Sequence, residues 1–495
     1  MAQLPNGWVE TKVDQIAEIV SGGTPKSSNP DFFSEDHDNA IAWITPADLS
    51  GYAHRYISHG KRSITDDGYN SCSAKKLPKG SVLFSSRAPI GYVAIAENEM
   101  ATNQGFKSFV PEEGIDSTFL YFYLKSIRLL AERLATGTTF KEISGKVTKT
   151  LPIPLPPLSE QARIVEKLDE VLAQVDTIKA RLDGIPNILK RFRQSVLASA
   201  VSGRLTEEWR EVNSTSIDLE SFGNAKEEFG FNKHKEDLFN LAKSTLPEIP
   251  DEWLIFPAGE LFSYVTSGSR GWAKYYSDSG ALFIRMTNLK YLTTEIDLDD
   301  VIYVDLPDSV EGKRSKVEFN DLLISITADV GRVAVIQDDL GEAYINQHVA
   351  LVRLNLKQYS QYLAICIAAE NIGIKQVSTL KRGATKAGLG LDDLRSLAIP
   401  IPSMEEQTEI VRLVDQYFAF ADTIEAQVDK ARARVDKLTQ SILAKAFRGE
   451  LVPQDPNDEP ADKLLERIQV ARQEAEALAK ATKKAANAKK RAAKA

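Results

Sequence analysis

Up to about residue 155, apolar positions come in short runs, among them Ile41-Ala-Trp-Ile44, Ser81-Val-Leu-Phe84 and Tyr92-Val-Ala-Ile95, divided by Gly, Pro, Asn and Asp. Runs of this length bounded by turn formers predict short strands. One helical run, Ser117-Thr-Phe-Leu-Tyr-Phe-Tyr-Leu-Lys-Ser126, has Ser117 or Asp116 as its N-cap. The mixture predicts an α+β unit. From Ser159 the period changes. Ile164, Leu168, Val171, Val175, Ile178, Leu182, Ile185, Leu189, Phe192 and Val196 lie four and three residues apart in turn. That 3.5-residue repeat predicts a long helix with one apolar seam, the pattern of a left-handed coiled coil. Ser159 is placed to cap its start, Gly203 to stop it, and Gly184 with Pro186 to break or kink it midway.

The same pattern returns further on. A second α+β unit is expected from Ile249 to about Pro402. It is followed by a second seam of Ile410, Val414, Tyr417, Ala421, Ile424, Val428, Ala431, Val435, Leu438 and Ile442, with no internal proline. The repeat is one of residues as well as period. Leu151-Pro-Ile-Pro-Leu-Pro-Pro-Leu-Ser-Glu-Gln161 returns as Leu397-Ala-Ile-Pro-Ile-Pro-Ser-Met-Glu-Glu-Gln407. Val175-Asp-Thr-Ile178 returns as Ala421-Asp-Thr-Ile424, and Gln194-Ser-Val-Leu-Ala198 as Gln440-Ser-Ile-Leu-Ala444. The offset is 246 residues each time. Upstream of each copy the similarity is faint and gapped, so a fixed scaffold carries two divergent globular units. The boundaries expected are 1–155 and 247–402 for the globular units, 156–205 and 403–452 for the helical regions, 206–246 for a polar linker with some helix, and 453–495 for a short helix (Ala461 to about Ala479) and a Lys/Ala-rich tail. Two such seams in one chain are most simply buried against each other, in parallel or antiparallel.

Charge narrows the function classes. The net charge is −8, yet Ala471–Ala495 carries eight Lys/Arg against two Glu. Any nucleic-acid surface is therefore a local patch on an otherwise acidic molecule. There is no P-loop, no Gly-rich cofactor loop and no nucleophile elbow, and His37, His54, His59, His234 and His348 have no metal-ligand spacing. Cys72 and Cys366 read as free thiols of a reducing cytoplasm. No catalytic residue and no metal site is expected.

What recurs instead is a set of polar loops at strand ends. Ile19-Val-Ser-Gly-Gly-Thr-Pro25 in the first half answers to Tyr264-Val-Thr-Ser-Gly-Ser-Arg270 in the second, Trp43-Ile-Thr45 to Phe283-Ile-Arg285, and Ser85-Ser-Arg87 to Ser325-Ile-Thr327. Thr102-Asn-Gln104 answers to Ile345-Asn-Gln347, and Gly137-Thr-Thr-Phe-Lys141 to Gly383-Ala-Thr-Lys386. Asn and Gln suit adenine, Arg and Lys suit guanine, and hydroxyls suit phosphates. The candidate DNA-binding residues are Thr24, Lys26, Arg87, Asn103, Gln104, Lys107, Thr139 and Lys141, with Ser269, Arg270, Arg285, Asn288, Arg332, Asn346, Gln347 and Lys386.

On Pro157-Leu-Ser-Glu-Gln161, Leu172-Ala-Gln-Val-Asp176, Ile188-Leu-Lys-Arg-Phe-Arg-Gln194, Leu443-Ala-Lys-Ala-Phe-Arg-Gly-Glu-Leu451 and Val452-Pro-Gln-Asp-Pro-Asn-Asp-Glu-Pro460, the chain resembles the specificity subunit of type I restriction–modification enzymes. The resemblance implies two α+β target-recognition domains joined by two long antiparallel coiled-coil helices, in a pseudo-two-fold internal repeat. Each domain would read one half of a bipartite asymmetric DNA site, with half-sites about one turn, near 34 Å, apart. It also implies a chain without cofactor, in the cytoplasm. Two modification subunits would bring S-adenosylmethionine and flip an adenine, and two restriction subunits would bring ATP and Mg2+ for translocation and cleavage. Glu160, Arg163 and Lys167, with Glu406, Glu409 and Arg412, are the candidate docking positions on the exposed helix faces.

Overall fold

The computed structural model describes residues 4–87, 89–137, 141–306, 312, 314–381 and 388–492, with side-chain burial described to residue 482. The chain divides into two compact units, Met1–Arg181 with Ala431–Ala495, and Leu182–Lys430.

In the first unit a five-stranded sheet runs Ala17–Ser21, Lys107–Pro111, Val82–Phe84, Val93–Ala96, Tyr56–Ile57, antiparallel except for its last pair. A four-stranded sheet follows the order Phe33–Ser34, Ser63–Ile64, Ile41–Ile44, Ala101–Thr102, closing with a parallel pair. Val9–Lys12 pairs with Pro152–Leu155. Val82, Leu83 and Phe84 are all buried, so the strand reads as a continuous apolar run rather than an alternating one. The helix Ser117–Ser126 packs beside it and is capped by Asp116, whose carboxylate accepts from the Thr118 and Phe119 amides.

The second unit repeats the plan. Phe262–Ser267, Val349–Leu354, Leu322–Ser325 and Val333–Val335 form one antiparallel sheet. Tyr276–Ser277, Tyr303–Val304, Ala281–Ile284 and Ala343–Ile345 form another, again ending in a parallel pair. Leu254–Pro257 pairs with Ala398–Ile401. The segment expected as a polar linker with some helix, 206–246, forms helices at Glu207–Val212, Leu219–Phe229 and Glu236–Lys243, but it is packed rather than linker-like. Its Phe222, Ala225, Phe239 and Ala242 are buried, at least three of them in the unit's main core. The apolar contacts of this segment outweigh its high charge.

The long helices span Leu158–Val201, 44 residues, and Met404–Ala446, 43 residues, about 65 Å each at 1.5 Å per residue. Pro186 lies inside the first without ending it. Ser159 sits in its first turn rather than at the cap, and Gly203 follows its end at φ 76°. Within the first unit, Lys179 pairs with Asp436 at 2.8 Å and Arg163 with Asp458. Within the second, Phe192 packs on Tyr417 and Phe420, and Arg193 binds Glu425 at 3.0 Å. Along the first helix, Lys179 thus meets the later part of the second helix and Phe192 and Arg193 its earlier part, the order of an antiparallel pair.

The seam is narrower than its 3.5-residue spacing suggested. Leu168, Val175, Leu189 and Val196 are buried with Val414, Ala421, Val428, Val435 and Ile442, one position per heptad. Of the alternate row, Ile178 is 43% and Leu438 45% exposed and Ile424 is half-buried, while Leu182 is the half-buried member of the covered row. A helix with a single helical neighbour closes one row and leaves the other at the margin. Ile164 and Ile410 escape this: both are fully buried at the start of their helices, Ile410 within the second unit's core. The C-terminal helix extends to Ala492, beyond its expected end, and buries Ala461, Leu464 and Ile468. No helix among the described residues is long and apolar enough to cross a membrane.

Candidate nucleic-acid interface

In the first unit, backbone hydrogen bonds tie the polar loops into one cluster. The Gly23 amide donates to the Thr102 carbonyl at 2.9 Å, Asn103 to Ile44 at 2.9 Å, Ser86 to Gly105 at 2.7 Å, and Ile143 to Ser86 at 2.9 Å. Gly22 has to be glycine: a side-chain carbon there would fall 2.0 Å from the Asn103 carbonyl oxygen. The Asn103 side-chain oxygen accepts from the Gly105 amide at 2.9 Å, and Thr24 Oγ1 accepts from the Gln104 amide at 3.4 Å. Thr24, Arg87, Asn103, Gln104 and Lys107 are thus brought together. Lys26 and Lys141 are exposed on adjoining segments.

The second unit builds the same frame. Asn346 donates to Ile284 at 3.0 Å, Ile326 to His348 at 2.9 Å, and Leu389 to Ile326 at 2.9 Å. A side-chain carbon on Gly268 would meet the Ile345 carbonyl oxygen at 2.1 Å. Asn346 Oδ1 accepts from the His348 amide at 3.1 Å, as Asn103 does from Gly105. Arg270 is exposed, and Gln347 is half-buried against His348. Thr139 and Lys386 lie outside the described residues.

Four candidates are buried or held by their own unit. Asn288 is 3% exposed, accepts from the Arg285 amide and donates to the Asp297 and Asp300 carbonyls, which makes it a turn former. Ser269 is buried, its hydroxyl without a partner among the described residues. Arg332 donates to the Leu289 carbonyl and to Asp329 and lies over the Tyr291 ring, so both ends of its guanidinium are taken. Arg285 is held by Asp300 through both carbonyl and carboxylate.

Two serines went unsingled by sequence reasoning although the repeat contained them. Ser85 Oγ donates to the Pro89 carbonyl and accepts from the Tyr92 amide, both at 2.8 Å. Ser325 Oγ does the same with Asp329 and Arg332. In each loop the glycine six residues on, Gly91 or Gly331, takes positive φ and donates back to the serine carbonyl at 3.0 Å. The hydroxyl braces the loop that carries Arg87 or Thr327. The signal was a Ser at the same place in both halves.

The docking candidates divide. Glu160 and Glu406, expected on an exposed face, are 1% and 2% exposed. Each accepts a 3.0 Å hydrogen bond from a tryptophan indole just ahead of its unit's first strand, Trp8 and Trp253. Gln454 also donates to Glu160, and Thr206 and Arg210 to Glu406. Burial raises the Glu160 carboxyl above its ordinary range, against the hydrogen bonds of Gln454 and Trp8. The cause of the misplacement is that a helix's first turn is wrapped by neighbouring chain, here the segments carrying these partners. Arg163 is paired with Asp458. Lys167, bridged to Glu170, and Glu409 with Arg412, form surface i,i+3 pairs. The thiol of Cys366 is fully buried and pushed up to about 12 by desolvation, inert at neutral pH.

Comparison with known proteins places this arrangement. The type I restriction modification DNA specificity domain matches twice, over residues 5–187 and 250–431. The chain is 31% identical over 493 residues to the EcoBI specificity subunit of Escherichia coli, covering 95% of this chain and 94% of that protein. It is 30% identical over 495 residues to the EcoKI specificity subunit of E. coli K12, covering 95% and 96%. Among solved structures, a chain from a type I restriction–modification system superposes with a TM-score of 0.59 at 19% identity, over 91% of this chain and all of that one. The HsdS subunit from Thermoanaerobacter tengcongensis gives 0.51 at 18% identity, over 90% and 98%. These structures share the fold.

Proposed function

Because the chain belongs to the family of type I restriction–modification DNA specificity subunits, we propose that each of its α+β units reads one half of a bipartite asymmetric DNA site while the paired helices set the unread spacer. Subunits of this family recognise the DNA target, and the catalytic activities lie on other subunits. The observation that carries the finer reading is the twice-built loop frame: the same backbone hydrogen bonds hold Asn103 and Asn346, Ser86 and Ile326, with different side chains presented around them. Identical frames with divergent side chains are what reading two unlike half-sites requires.

Two modification subunits, carrying S-adenosylmethionine and flipping an adenine, would dock one on each copy of the helical repeat. Two restriction subunits with ATP and Mg2+ would complete the cytoplasmic assembly. Lys167, Glu409 and Arg412, with the half-covered row through Ile178 and Leu438, are the faces left for docking. The test is methylation mapping of DNA from cells expressing the chain with its modification subunit. A bipartite motif with a constant gap is expected. A continuous motif, or modification by the modification subunit alone, would refute the reading.

A further inference from the structure

Arginine is common in DNA interfaces, but it reads guanine only when its planar fork is held at the right angle to the base edge. Of the four candidate arginines, Arg285 and Arg332 are held by acidic and carbonyl groups of their own unit. Arg270 is exposed and has no ion pair among the described residues. Arg87 differs from all three.

Its Nε and Nη2 both donate to Glu142 Oε2, at 2.9 and 2.8 Å. That is a side-on grip. Nη1 and the outer hydrogen of Nη2 carry no hydrogen bond among the described residues, and they form the end-on edge that matches guanine O6 and N7. The Arg87 side chain is 41% exposed. Glu142 is itself fixed. Its backbone exchanges hydrogen bonds with Thr136 at 3.0 and 2.9 Å and is bridged to Arg87, and the Lys107 ammonium lies 3.6 Å from its other oxygen. A fork already oriented before binding loses less freedom on forming two hydrogen bonds.

The second unit lacks the device at the matching place. Thr327 stands for Arg87 and is bridged to Gly388, which stands for Glu142. Ala350 pairs with Ser267 as Lys107 pairs with Ser21, so an apolar residue replaces the lysine. Arginine, glutamate and lysine are exchanged together for threonine, glycine and alanine.

We propose that Glu142 sets Arg87 end-on to a guanine in the half-site read by the first unit, a contact for which the second unit has Thr327 in place of the arginine. This rests on the loops being the DNA interface, as argued above. The experiment uses the full chain assembled with its modification subunits, assayed on duplexes carrying each of the four bases at every position of the mapped site. For Arg87→Ala the preference for guanine at one position falls roughly 5- to 150-fold, while the other half-site and the gap are unchanged. Glu142→Gln weakens the same position by less, and Arg87→Lys does not restore it. If modification becomes too slow to read, binding to the same duplexes replaces it. Unchanged preferences, an equal loss for all four bases, a change in the other half-site, or a Glu142→Gln variant as selective as the natural chain would each overturn the proposal. A natural assembly that selects no bipartite site would instead overturn the DNA-reading function.

Discussion

Removal of the buried carboxylates at the two helix starts should cost unequally. Glu406 accepts from the Trp253 indole, the Thr206 hydroxyl and the Arg210 guanidinium. Glu406→Ala strands all three donors, and Arg210 is mostly covered, with a side chain 20% exposed. Breaking a buried ion pair from one side costs about 3–5 kcal/mol. Among the described residues Glu160 accepts only from Trp8 and Gln454, the nearby Arg163 being paired with Asp458. Both donors are neutral, so Glu160→Ala costs about 1–3 kcal/mol. Native-state hydrogen exchange reads the two units separately, which matters because a chain of this size need not unfold in one step. Glu406→Ala should lower protection across 253–265 and 398–414 more than Glu160→Ala lowers it across 9–20 and 152–168. Equal losses, or a Glu406→Ala cost below about 0.5 kcal/mol, would refute the assignment of Arg210 as the deciding partner.

Three further outcomes follow from the same contacts. Leu189→Ala should destabilise the second unit by about 2–5 kcal/mol, whereas Ile178→Ala, at an exposed seam position, should cost less than about 1 kcal/mol by denaturant unfolding; similar costs would contradict the one-row seam. Because desolvation holds the Glu160 carboxyl above its ordinary value of 4.5, its stabilising contribution is present below that value and is lost as pH rises through the raised one. Glu160→Gln should therefore flatten the melting temperature against pH across the weakly acidic range. Ser85→Ala should deprive the half-buried Tyr92 amide of its acceptor at a cost of about 0.5–1.5 kcal/mol, seen as faster exchange over 90–92 with no change in the second unit.

Much of the fold was legible because periodicity is local. The strand runs at 41–44 and 82–84 and both long helices follow from spacing, and the helix at 117–126 from spacing and its Asp116 cap. Their register does not. Either helix orientation buries the seam, and only the pairs Lys179–Asp436 and Arg193–Glu425 decide it. Glu160 and Glu406 illustrate the opposite failure. Charge and position on a helix suggested solvent, but residues far away in sequence, Trp8 and Trp253, bury them. Likewise 206–246 reads as polar because its few apolar residues are scattered, yet Phe222 and Phe239 reach a core supplied by other elements.

By itself, then, the sequence determined the duplication, the two α+β units and the two long helices, since repeats, periods and caps are written in neighbouring residues. The tertiary structure alone decided which polar side chains remain free. Arg87 and Arg332 are the same residue type in related loops, yet one keeps an open edge beside Glu142 and the other is consumed by Asp329, Leu289 and Tyr291. A side chain's availability depends on partners brought close in space, and no local pattern encodes that.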